Sequence, residues 1–193
     1  MSHEAGQGVV EGENKKVAVL ISALALFLAV AEMLGKSAQT DALKYNVEAS
    51  NTWAFFQAKS IRKTTMETAA EQMDVDVQLA RDPSVRQILE QRVNAWKVRA
   101  ARYESEPESG EGRKELIAKA TALEQKTERA LAKYHNFEYG SAAFQIAIVL
   151  ASSFIVTGVV QLLWGAIGVG VIGLVFSLIG SFAPYALQFA GLH

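Results

Sequence analysis

Three apolar runs divide an otherwise polar chain, and their lengths set the first expectation. Residues 17–34 read VAVLISALALFLAVAEML, and the apolar block near the C-terminus splits into 141–160 and 166–187. A helix rises about 1.5 Å per residue, so about 20 apolar residues cross a hydrocarbon layer of roughly 30 Å. With their flanks all three runs reach that length, and the pattern predicts three transmembrane helices. Gln161, Trp164 and Gly165 suit a turn over 161–165, with Trp164 at headgroup level, and Pro184 and Tyr185 suit an interfacial end to the third span.

The polar stretch between the first two spans is periodic in a different way. From Lys36 to Asp82 there is no Gly or Pro, so the first span is expected to run on as a helix, with Gly35 as a flex point. Asp82 and Pro83 read as an N-cap and a first helical position. Behind them Val85, Leu89, Val93, Trp96 and Ala100 recur at steps of three and four, the stripe of an amphipathic helix. Residues 105–112, SEPESGEG, form an acidic turn. A third polar helix then starts near Arg113. Its residues Leu116, Ala120, Leu123, Thr127, Ala130, Tyr134 and Phe137 alternate steps of four and three up to the second span.

The fold class expected is therefore an all-α membrane protein with three transmembrane helices and a long extramembrane, coiled-coil-like helical hairpin between the first and second. Its divisions are a polar N-terminal tail (1–16), spans at 17–34, 141–160 and 166–187, the hairpin (35–140), the turn (161–165) and a C-terminal end (188–193).

Charge sharpens this picture. The net charge is only -1 over 193 residues, but every Lys and Arg lies between Lys15 and Lys133, and the last acidic residue is Glu138. A stretch with no formal charge from Tyr139 onward has no aqueous face. The lipid bilayer is the expected partner, and the near-neutral balance argues against nucleic acid. Lys15 and Lys16 resemble the start of a signal peptide, but the apolar run is long and Glu32 and Lys36 stand where a small-residue cleavage site belongs.

Small residues recur within the spans: Ala18, Ser22, Ala25 and Ala29 in the first, Ala143, Ala147 and Ala151 in the second, and Ala166, Gly170, Gly173, Ser177 and Ser181 in the third. Such stripes let helix backbones approach closely in lipid. Ala25, Ala29, Ala143, Ala147, Ala151, Gly170, Gly173 and Ser177 are the candidates for helix packing or homo-oligomer contact. Gly168, Gly170 and Gly173 also spell G-x-G-x-x-G, but inside an apolar span with no acidic residue following, so no dinucleotide is expected.

Residues 51–62, NTWAFFQAKSIR, concentrate Trp53, Phe55 and Phe56 on the first polar helix. These three cannot share one narrow seam, and they serve either core packing within the hairpin or contact with a partner protein. This motif, following an N-terminal span and followed by a helical middle and paired C-terminal spans, resembles an uncharacterised bacterial membrane-protein family catalogued as a domain of unknown function. The resemblance implies a bacterial inner-membrane setting and carries no reaction, ligand or site.

Candidate chemistry is sparse. There is no cysteine, so neither disulfide nor thiolate site is available. His3, His135 and His193 stand outside recognised zinc spacings, and H-E-x-x-H, P-loop and G-x-S-x-G motifs are missing. No cofactor and no enzymatic activity are expected. Glu32 is the ionisable side chain within a span, either an ion-relay group or an interfacial partner of Lys36 one turn on. Lys36, Lys44, Lys126, Arg129 and Lys133 outweigh Lys15 and Lys16, which places the hairpin in the cytoplasm by the positive-inside rule.

The functional expectation is a non-enzymatic integral membrane protein that self-associates and presents its helical stalk as a scaffolding or interaction surface. The alternative is a small oligomeric channel or transporter subunit lined by Glu32, Ser152, Ser153 and Thr157.

Overall fold

The long apolar and polar periodicities fold as helices that ignore the boundary between them. In the computed structural model the backbone is described for residues 2–186 and the side chains for residues 15–186. The elements are α1 (Ser2–Leu79), α2 (Pro83–Glu104), α3 (Arg113–Thr157) and α4 (Val160–Phe182), with no strand among the described residues. Three of these, α1, α3 and α4, are long and apolar enough to cross a membrane by length and composition. α1 opens at Ser2, within the polar N-terminal stretch, and Gly35 remains inside it without a break. Leu187 and the C-terminal end at 188–193 lie outside the described residues.

The start of α2 follows from local chemistry. Asp82 is extended (φ -82°, ψ 122°) and accepts from the Ser84 backbone N–H at 2.8 Å and the Ser84 hydroxyl at 2.7 Å. Pro83 behind it gives up an N–H that no helical carbonyl would have paired.

The turn expected over 161–165 is corrected by the structure. α3 ends at Thr157, the break falls at Gly158 and Val159, and α4 is under way from Val160. Gly158 takes φ +69°, and its N–H still reaches the Phe154 carbonyl at 2.8 Å. Only glycine adopts that left-handed conformation without a Cβ penalty, so the helix stops there. Gln161, Trp164 and Gly165 can all hold helical dihedrals and do so.

The chain divides into two compact units, one made of Met1–Leu43 with Thr127–His193 and the other of Lys44–Lys126. In the first unit, α1, α3 and α4 pack through two apolar clusters. Val17, Ala151, Phe154 and Ala166 form one, and Leu24, Ala31, Phe144 and Ala147 the other. Phe27 stacks on Phe144 at 5.9 Å between ring centroids. In the second unit α1 and α3 pack together with α2, whose buried residues are Val93 and Ala100.

The burial pattern of α1 has a period of seven. Val17, Leu24, Ala31 and Ala38 are buried in the first unit, and Thr52 and Lys59 continue the series in the second. Gly35 and Ala42 stand four positions after Ala31 and Ala38 and are buried too, as are Ala49 and Ala70, four positions after the half-buried Tyr45 and Met66 of the same register. On α3, Leu116, Ala120, Leu123, Thr127, Ala130 and Phe137 are buried and Tyr134 is half-buried. Small residues dominate on α1 and larger ones on α3, so bulky side chains have shallow surfaces to fill.

Candidate functional site

The charged side chains converge in the second unit, where the end of α2 and the start of α3 meet the middle of α1. Arg113 anchors this junction. Its Nη1 donates to Glu104 Oε2 at 2.7 Å, its Nε donates to Ser60 Oγ at 2.9 Å, and its guanidinium lies 5.2 Å from the centre of the Phe56 ring. Lys63 donates to the same Glu104 oxygen at 2.8 Å and pairs with Glu67 at 3.6 Å. Two cations on one carboxylate oxygen make a network rather than an isolated surface pair.

Lys59 is the second centre. It is only 7% exposed, an unusual state for a lysine unless it is paired. Its ammonium sits 5.3 Å from the Phe55 ring centre and 5.5 Å from that of Tyr103, with Glu111 at 3.5 Å. Cation–π attraction and one carboxylate thus replace part of the lost hydration. The acidic turn closes the junction. Ser105 Oγ donates to Glu115 Oε1 at 2.7 Å, and the Glu106 backbone N–H donates to Glu115 Oε2 at 3.3 Å. Any Cβ at Gly112 would collide with Glu115 and the Glu106 backbone, so that position admits only glycine in this turn.

Electrostatics follows the contacts. The Lys63 hydrogen bond holds the Glu104 carboxyl below its ordinary range, with burial opposing and the Lys63 and Arg113 charges adding. The Glu104 bond raises Lys63 in return. The Ser105 hydroxyl lowers Glu115. These shifts all favour the charged state, the signature of structural pairing, whereas a general acid or base needs a value drawn toward neutrality.

Trp53, Phe55 and Phe56 divide their roles here. Trp53 meets Phe56 edge to face at 5.5 Å and donates its indole N–H to Glu124 at 2.7 Å. Phe56 is half-buried beneath Arg113, and Phe55 is 37% exposed beside Lys59.

In the first unit the small-residue candidates separate into two groups. Ala143, Ala147, Ala151, Gly170 and Gly173 are buried and Ser177 is half-buried, whereas Ala25 and Ala29 are exposed. The approach of α3 to α4 is close. A Cβ on Gly173 would fall 2.9 Å from the Phe144 ring, and one on Gly140 would fall 2.7 Å from Ser177 Oγ.

Glu32 is exposed, and the pairing with Lys36 is not formed: Glu32 accepts from Gln145 Nε2 on α3 at 3.2 Å instead. The i,i+4 spacing leaves both side chains free to turn away, and the neighbouring helix offers the nearer donor. A groove of about 240 Å³ beside it is lined by Glu32, Lys36, Tyr134 and Glu138 among others. His135 lies 3.5 Å from Glu138, and His193 lies outside the described residues.

Lys59, Glu104, Arg113 and Asn136 are the residues that sequence reasoning overlooked. Asn136 is buried, donating to the carbonyls of Ala132 at 2.7 Å and Pro184 at 3.0 Å, and so ties the chain beyond α4 to α3. Its Oδ1 has no partner among the described residues. The period of seven on α1, which carries Lys59, is the signal that could have marked it.

Residues 13–183 match the family described as Domain of unknown function (DUF4337). The chain belongs to this family. The match takes in all of α2, α3 and α4, and α1 from residue 13 onward. No curated protein and no solved structure matches this DUF4337 chain. The family expectation drawn from the 51–62 motif therefore holds.

Proposed function

We propose that the protein is a non-enzymatic, multi-pass protein of the bacterial inner membrane that self-associates and presents residues 44–126 as a helical scaffold. The observation that carries this reading is the continuity of α1 and α3, each passing from an apolar stretch into the charged unit without a break in the helix. Lipid would solvate exposed apolar side chains such as Leu26, Val149, Val171 and Phe182. The second unit carries most of the formal charge and the Lys63–Glu104–Arg113 network, which suits a body in water. The Lys and Arg count near the spans favours a cytoplasmic location for it. Exposed Ala25 and Ala29 leave one small-residue face of α1 open to another helix.

A pore reading draws less support. The hydroxyls of Ser152, Ser153 and Thr157 donate to carbonyls of their own helix at 2.8 Å, and Glu32 is engaged by Gln145.

The absence of native cysteine makes the test clean. Lys119→Cys should react with a membrane-impermeant maleimide from one side of sealed vesicles only, and Val171→Cys from neither side. The detergent-solubilised protein should have a molar mass above that of one chain. Release of the protein by alkaline carbonate would overturn the membrane assignment, and a monomeric mass would overturn self-association. Ion flux in liposomes that Glu32→Gln abolishes would replace the scaffold with a channel.

A further inference from the structure

Where formal charge stops along the chain, α1 and α3 of the first unit enclose the groove of about 240 Å³. The apolar run of α1 ends at Leu34, and Glu138 is the last charged residue of α3. The two helices are matched in level there: a Cβ on Gly35 would lie 3.2 Å from that of Phe137, and Glu32 meets Gln145. Buried Ala31, Gly35 and Phe137 give the groove an apolar wall, and exposed Glu32, Lys36 and Glu138 give it charge of both signs. In a bilayer this is headgroup depth, with hydrocarbon directly beside it.

Each charged group here has capacity to spare. Glu32 accepts from Gln145 at 3.2 Å. Glu138 accepts from the Tyr134 hydroxyl at 3.3 Å and lies 3.5 Å from His135, long contacts for a carboxylate, which offers about four acceptor sites. Lys36 makes no ion pair among the described residues. Two carboxylates against one ammonium leave a negative charge in excess, and that balance chooses among headgroups. An anionic headgroup would gain Lys36 and face both carboxylates. A trimethylated ammonium has no N–H to donate and is held best by a cage of aromatic faces, which the groove does not offer. A primary ammonium brings three N–H donors for Glu32 and Glu138, and the phosphate next to it suits Lys36.

We infer that this groove holds the headgroup of a zwitterionic phospholipid bearing a primary amine, its ammonium on Glu32 and Glu138 and its phosphate on Lys36. The inference rests on the membrane reading above, which sets the groove at headgroup depth. Bound there, the lipid ties Lys36 of α1 to Glu138 of α3, which share no ion pair of their own. Its acyl chains leave along the apolar parts of the same two helices.

Native mass spectrometry of the full chain, titrated with phosphatidylethanolamine, phosphatidylcholine and phosphatidylglycerol of identical acyl chains, tests this directly. Phosphatidylethanolamine should bind tightest, by about fivefold or more. Glu32→Gln and Glu138→Gln should each lower its binding toward that of phosphatidylcholine. Lys36→Gln should weaken both zwitterionic lipids, and Lys119→Gln should change neither. All four positions are exposed, so circular dichroism should report unchanged helix content. Equal binding of phosphatidylethanolamine and phosphatidylcholine would overturn recognition of the ammonium, and tighter binding of phosphatidylglycerol would overturn the charge match. A preference that survives both carboxylate substitutions would overturn the groove as its site. Those three results leave the membrane reading standing, whereas release of the protein by alkaline carbonate would remove both.

Discussion

Trp53 on α1 donates its indole N–H to the Glu124 carboxylate on α3 at 2.7 Å, joining residues 71 positions apart. The same ring packs edge to face on Phe56, so one side chain holds both a polar and an apolar link. Trp53→Phe removes the donor and keeps a ring, and should cost about 1 kcal/mol. Trp53→Ala removes both and should cost about 2 kcal/mol, below the range for fully buried aromatics because Trp53 is half-exposed. Urea unfolding followed by far-UV circular dichroism measures both, and equal losses would refute the division of roles.

The Glu104 network makes stability depend on acid. A carboxyl whose folded pKa lies below its ordinary value of 4.5 stabilises the fold above that value, and the contribution is lost as pH falls through the lower folded one. Melting temperature should therefore drop on the acid side of about pH 4.5, and Glu104→Gln should flatten that limb while lowering stability at neutral pH. Lys63, raised by the same bond, gives the mirror image: its contribution is present below 10.5 and lost as pH rises through its higher folded value.

Two glycines of α4 should behave oppositely. Gly173→Leu forces atoms into the Phe144 ring and the Gly140 carbonyl, and overpacking of this kind costs about 1–3 kcal/mol. A Cβ on Gly168 meets nothing within 4 Å, so Gly168→Leu should be neutral or stabilising by up to about 1 kcal/mol. Thermal denaturation in detergent distinguishes them. Ala147→Leu, at a position with 0% exposure, should follow Gly173→Leu, while Ala29→Leu should leave the monomer fold intact and act on association.

Gly158→Ala tests the α3–α4 break. A Cβ finds open space there, so any loss comes from the backbone conformation, about 1–2 kcal/mol for an L residue at φ +69°. Gly165→Ala, helical and with its nearest neighbour at 3.6 Å, should be neutral or slightly stabilising by the same measurement.

Local chemistry was the most legible part of the chain. The Asp82 cap and Pro83 act over a few residues, and the α3 stripe is written in Leu, Tyr and Phe, so both could be read directly. The repeat on α1 is written in Ala, Gly, Thr and Lys, which hydropathy does not mark as a seam. Lys59 looks like surface until Phe55, Tyr103 and Glu111 are brought around it. Gly158 sits among apolar residues and reads as span interior, while Trp164 and Gly165 look like a turn. The Glu104–Arg113–Ser60 contact needs three elements in place at once, and no spacing along one chain encodes it.

The bare connection at Gly158 and Val159 has a consequence for depth. No formally charged side chain follows Glu138, so nothing ionic pins the α3–α4 tip to a headgroup plane. In a bilayer that end is free to ride with hydrocarbon thickness, at a cost of only fractions of a kcal/mol per ångström of mismatch. The charged beginning of α3 would have no such freedom, so under the membrane reading proposed above a change in lipid length would be absorbed at the uncharged tip.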